Sequence, residues 1–182
     1  MKLENIDETF ELAVQNHKKN NFKIAENLYK KILSVNPDHF KSIFLLGSLS
    51  AQIKNLDSAK QLLQKAIQIN SNYAEAHYNL GNVLIELGEK QKAISCYKKA
   101  IQIDPDYVIA LNNFGKTLEE LNHINEAAKH YEKSLNLNPN KKETYADYGK
   151  TLLKLNRHSK ALAYIRKGTG LIRFTQKDFE II

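Results

Sequence analysis

The side chains that most often do chemistry are scattered through this sequence. Six histidines occur, His17, His39, His77, His123, His130 and His158, with no i,i+4 pair and no H-E-x-x-H string among them. A helical zinc site needs two imidazoles on one face, so a metal centre is not expected. The single cysteine, Cys96, has no second thiol to pair with and no neighbour that would activate it. Gly168-Thr169-Gly170 lacks the lysine and the preceding strand of a phosphate loop, and neither G-x-G-x-x-G nor G-x-S-x-G is present. Carboxylates are abundant, but their spacing from lysines on helices suits i,i+4 ion pairing better than acid–base work. No catalytic residue, metal or cofactor is expected, and the chain reads as a non-enzyme.

Amides offer a different chemistry. Asn79 and Asn113 lie 34 residues apart, with Asn82 and Asn112 close by. An amide gives and takes a hydrogen bond at once, so a row of them can pair with a run of alternating donors and acceptors. For that, the amides must be carried on elements that repeat with the same period.

The sequence has that period. Asp104-Pro105-Asp106 and Asn138-Pro139-Asn140 are 34 apart, and Asn36-Pro37-Asp38 stands twice that distance before the first of them. The missing member is Asn70-Ser71-Asn72, where serine replaces proline but the turn chemistry survives. Sliding by 34 aligns Ala25, Ala59, Ala93, Ala127 and Ala161, and also Ala13, Gly47, Gly81, Gly115 and Gly149. Larger residues form two more columns: Leu12, Leu46, Leu80, Phe114 and Tyr148, then Tyr29, Leu63, Tyr97, Tyr131 and Ile165. Each unit reads as two helices, with an inter-helix turn at Asn20, Lys54-Asn55, Gly88, Asn122 or Asn156. Gly and Asn tolerate the left-handed conformation that ends a helix, and proline closes the second helix. Small residues at Gly81 and Ala93 let the paired helices approach, and Leu80 and Tyr97 fill the space between units.

These columns resemble the tetratricopeptide repeat, with Leu80-Gly81, Ala93, Tyr97, Ala100 and Pro105 at the family's positions in the best unit. The resemblance implies an all-α, right-handed superhelical solenoid of five helix-turn-helix units, 6–39, 40–73, 74–107, 108–141 and 142–175. Residues 1–175 form the solenoid, and 176–182 a short C-terminal tail or helix expected to cap it. The end units look degenerate, as terminal repeats should: Thr9 and Asn16 replace apolar residues, and Gly168 and Arg173 replace the late alanine and the proline. Thr175 and Asp178 resemble a capping box, which points to a final helix from about Gln176. The apolar tail from Leu171 suits a lid over the last repeat, a contact for self-association, or the start of a further domain.

The resemblance also implies that first helices line a concave peptide groove. Carried over residue by residue, the groove is Phe44, Tyr78, Asn79, Asn82, Asn112, Asn113, Lys116, Asp147 and Lys150, aromatic first, then amide-rich, then charged. Consecutive asparagines at Asn79 and Asn113 resemble the ladder of superhelical members of the family. The function implied is a protein–protein interaction scaffold for an extended partner segment. The alternative is the recruiting arm of a larger enzyme system, associated with a glycosyltransferase or an oxygenase. The family's clamp for a chaperone's terminal carboxylate is not expected, since Tyr78, Glu143 and Asp147 stand where it needs cations and two acids would repel the anion.

Net charge is +7 over 182 residues, and residues 142–175 hold eight Lys/Arg against two Asp/Glu. These cations fall on several faces of two helices, so steering toward an acidic partner is favoured over nucleic acid. Met1 to Phe10 has no apolar run that would make a signal peptide. No stretch reaches the ~20 apolar residues that span a bilayer. A cytoplasmic location is the expectation.

Overall fold

A 34-residue unit folds as a helical hairpin because its apolar residues recur at helical spacing and its breakers recur at two fixed places. The computed structural model describes residues 5–169 and the strand residues 172–174 and 179–181. The helices are α1 (Ile6–Lys18), α2 (Phe22–Val35), α3 (Phe40–Gln52), α4 (Leu56–Ile69), α5 (Ala74–Glu86), α6 (Lys90–Ile103), α7 (Val108–Glu120), α8 (Ile124–Leu137), α9 (Lys142–Lys154) and α10 (His158–Thr169). None is long and apolar enough to cross a membrane.

The turns inside the hairpins fall where glycine and asparagine put them. Asn20, Lys54, Asn122 and Asn156 have φ near +60° and Gly88 has φ +77°. Lys54 alone lacks the side chain or the freedom that eases this conformation. The turns between hairpins are held by side-chain oxygens: Asp104 Oδ1 accepts from the Asp106 amide at 3.1 Å, and Asn138 Oδ1 from that of Asn140 at 3.2 Å. Asn70 Oδ1 accepts from the Asn72 amide at 3.1 Å. The turn therefore persists at Ser71 without its proline.

The chain divides into two compact units, Met1–Cys96 and Tyr97–Ile182. In the first, Ala13, Ala25, Tyr29, Leu46 and Leu49 form one buried cluster, and Ile43, Ala66 and Ala76 another. Leu46 thus packs onto the preceding hairpin. Leu12, in the same sequence column, is 49% exposed. Among the described residues no helix earlier than α1 lies against it, which leaves Leu12 open. In the second unit, an added Cβ on Gly115 would meet the Tyr131 ring at 3.0 Å. One on Gly149 would stand 2.5 Å from Ile165 Cγ1 and 3.0 Å from the Ala161 carbonyl. Tyr131 and Ile165 are all but completely buried against this glycine column.

Two features of the C-terminal end differ from expectation. Gly168 is a requirement rather than a sign of decay: a Cβ there would lie 2.6 Å from the Ala146 nitrogen and 2.7 Å from the Lys142 carbonyl. Beyond α10, β1 (Ile172–Phe174) pairs antiparallel with β2 (Phe179–Ile181), Arg173 opposite Glu180. A strand thus stands where the final helix was expected to continue, and residues 175–178 lie outside the described residues. Ile-Arg-Phe and Phe-Glu-Ile alternate apolar with charged, which suits a period of two and β-favouring side chains.

Gly149→Ala should destabilise the protein by about 1–3 kcal/mol, because Ile165 and backbone both block the new methyl. Lys54→Gly should stabilise by about 1 kcal/mol, since relief of the left-handed strain exceeds the loss of an exposed ion pair. Chemical denaturation of each variant beside the wild type checks both signs.

Candidate functional site

In the unit Met1–Cys96, successive first helices touch, α3 against α5, and a row of polar side chains gathers along the contact. Ser48 Oγ donates to the Phe44 carbonyl at 3.0 Å. Its lone pairs then face Asn79, whose Nδ2 donates to Ser48 Oγ at 3.0 Å. The bond fixes how the amide is turned, with Oδ1 and the second N–H left over. Asn79, Asn82, Ser48, Ala51, Gln52, Lys54 and Glu86 line an open pocket of about 250 Å³. Lys54 Nζ meets Glu86 Oε2 at 2.7 Å and ties the turn after α3 to α5 at its rim. Gln52 also lines a second pocket of about 360 Å³ with Val14, His17, Tyr29 and Leu45. There His17 Nε2 lies 3.1 Å from Gln52 Oε1, linking α1 to α3.

The aromatic members of the expected groove are part of the packing. The Phe44 ring stacks on Phe40 and meets Tyr73 edge-on at 4.9 Å, over the buried Ile43, Ala66 and Ala76. Tyr78 is partly buried. Burial raises the Tyr73 hydroxyl pKa, with Glu75 adding to the effect.

In the unit Tyr97–Ile182, the equivalent contact runs between α7 and α9 and is charged. Glu119, its side chain 16% exposed, accepts from Lys154 Nζ at 2.7 Å, Thr151 Oγ1 at 3.1 Å and the Tyr131 hydroxyl at 3.5 Å. Lys116 and Lys150 are exposed, Asn113 partly buried. Asp147 is partly buried, and desolvation raises its pKa, opposed by Lys150 and Lys116 and reinforced by Glu119 and Glu143. Asn112 stands apart from the rest: both polar atoms of its amide are sealed from solvent without a hydrogen-bond partner. A partner cannot touch them as the helices are packed.

Asn79 and Asn82, both named from the sequence, line one pocket, and the sequence reading missed the part of Ser48, the group that orients Asn79. The ion pairs show why. Lys30–Glu26 is an i,i+4 pair and Lys92–Glu89 an i,i+3 pair, as expected on single helices. Lys54–Glu86, Lys60–Glu89, Lys65–Asp38 and Lys154–Glu119 instead join different repeats or the turns between them. Their separations cluster around one repeat length, a signal that an i,i+4 search overlooks. His39 was also passed over: its Nδ1 faces Ser42 Oγ at 2.8 Å and the Ser42 amide at 3.3 Å, capping α3.

A tetratricopeptide repeat model matches residues 74–107, a TPR repeat model matches 47–88, and a third tetratricopeptide repeat model matches 96–129 and 130–163. Among solved structures, the MamA protein is 24% identical with a TM-score of 0.82, covering 91% of this chain and 90% of that one. YrrB, described as a TPR protein with an unusual peptide-binding site, is 20% identical with a TM-score of 0.77, covering 89% and 84%. PilF of Pseudomonas aeruginosa is 21% identical with a TM-score of 0.81, covering 91% and 75%. Among curated proteins no match is found.

Asp147→Asn should make the protein more stable at pH 7. A carboxyl whose folded pKa is raised penalises folding wherever it is ionised, and the penalty disappears once both folded and unfolded forms are protonated. The advantage of the variant over wild type in urea melts should therefore shrink as pH falls through the carboxylate range. An advantage that grows toward acid would contradict the burial of Asp147.

Proposed function

Because the chain belongs to the tetratricopeptide repeat family, we propose that it is an interaction scaffold that holds an extended segment of a partner protein on its first-helix faces. Its array of helical hairpins is the architecture of a protein–protein interaction scaffold. The observation that carries the finer reading is the Asn79 amide, turned by Ser48 so that one carbonyl and one N–H remain beside an open pocket. An extended backbone presents a matching N–H and C=O, and a groove that pairs with these alone tolerates many side-chain sequences.

Within each of the two units the other groups take graded roles. Asn82 and Tyr78 extend the contact on α5, and the partly exposed edge of Phe44 offers apolar area. On α7 and α9, Asn113 repeats the amide one unit later, with Lys116, Asp147 and Lys150 selecting by charge. Binding rather than turnover suits these groups. Burial pushes the Cys96 thiol up to about 11, which leaves it a poor nucleophile near neutrality.

Peptides selected on the wild-type protein from a random library test this reading. Asn79→Ala with Asn82→Ala should weaken most of them about thirtyfold, the effect of losing two hydrogen bonds worth about 1 kcal/mol each. Lys98→Ala with Lys99→Ala, exposed on α6, should leave affinity unchanged. Equal affinities for wild type and the asparagine double variant would sink the proposal.

A further inference from the structure

Among the described residues of the unit Tyr97–Ile182, three side chains have polar atoms sealed from solvent without a hydrogen-bond partner: the Asn112 amide, at both Nδ2 and Oδ1, and the Ser134 and Thr144 hydroxyls. Ser134 is 0% exposed and Thr144 2%. They belong to three different helices, yet the repeat brings them to one place. Two repeats earlier, at 44, 66 and 76, stand Phe44, Ala66 and Ala76. Ala66 and Ala76 share a buried cluster with Ile43, and Phe44 packs against it. Leu111, the equivalent of Ile43, is also fully buried. One repeat later the same geometry recurs: the Cβ direction of Gly168, equivalent to Ser134, meets the backbone of Ala146, equivalent to Asn112. The three polar groups therefore converge where α8 packs against α7 and α9.

Three orphaned groups would be a heavy cost for a protein of ordinary stability. The equivalent junction in the first unit avoids it with an aromatic ring and two methyls. Asparagine is shorter than the phenylalanine it replaces by more than serine and threonine exceed the two alanines, so the side chains of the polar junction fill less volume and carry more polar atoms. A buried site that is roomy and offers two to four hydrogen bonds takes up water. The amide supplies a donor and an acceptor, and each hydroxyl supplies either.

We propose that the α7–α8–α9 junction is a built site for an internal water molecule, held by the Asn112 amide and the Ser134 and Thr144 hydroxyls. This goes beyond the peptide-binding reading and takes Asn112 out of the partner-contacting set: its amide faces the interior and fixes the spacing of three helices. His130, one turn before Ser134 on α8, is partly buried, and burial lowers its pKa.

Water-to-protein cross-relaxation in the isotope-labelled full chain tests the site. A long-lived water should give cross-peaks to the Asn112 side-chain amide and to Ser134 and Thr144. The triple variant Asn112→Phe, Ser134→Ala, Thr144→Ala copies the apolar junction and should fold without them. Absence of the signal in wild type, or its persistence in the triple variant, would overturn the proposal. Should the triple variant fail to fold, Ser134→Ala alone serves as the second arm: the water should exchange at least tenfold faster, and an unchanged residence time overturns the assignment.

Discussion

The approach of the two helices within each hairpin is the constraint on which the rest of this protein depends. A Cβ added to Gly47 would lie 3.1–3.2 Å from Leu63 and Leu62, one on Gly115 would meet the Tyr131 ring, and one on Gly149 both Ile165 and the backbone of α10. Small residues on the first helix are what allow a tyrosine, leucine or isoleucine on the second to be fully buried. Once the hairpins are that thin, the next first helix can lie against the last. Side chains such as Ser48 and Asn79, a repeat apart, then come within hydrogen-bonding distance.

Much of this was legible because the signals are local or periodic. The five left-handed turns fall at the positions named from Asn, Gly and the Lys54-Asn55 pair. The alanine column is buried at every repeat. What escaped depends on neighbours that a column cannot show. Leu12 matches its column but is 49% exposed, since α1 is the first of the described helices. Gly168 looked like a lapse from alanine, whereas only the backbone of α9 reveals that nothing larger fits. The tail was read by its capping residues, and its strand alternation was passed over.

The amides show the same limit in the candidate site. Asn79, Asn112 and Asn113 are alike in sequence and all lie on first helices. Asn79 is anchored by Ser48 beside an open pocket, while Asn112 is enclosed. The difference is one position of helical rotation, about 100° about the axis. A helix that packs on two sides leaves a narrow arc for a partner, and adjacent identical residues fall on either side of its edge.

The buried tyrosines have a consequence for how the protein can be watched. The chain has nine tyrosines and no tryptophan. Burial pushes the phenols of Tyr29 and Tyr148 up to about 12, and that of Tyr131 is also raised. Tyr29 belongs to the hairpin of α1 and α2, Tyr131 to that of α7 and α8, and Tyr148 to that of α9 and α10. Phenolate absorbance in alkali is therefore a built-in optical clock for the opening of buried hairpins, with no added label and no indole signal to mask it.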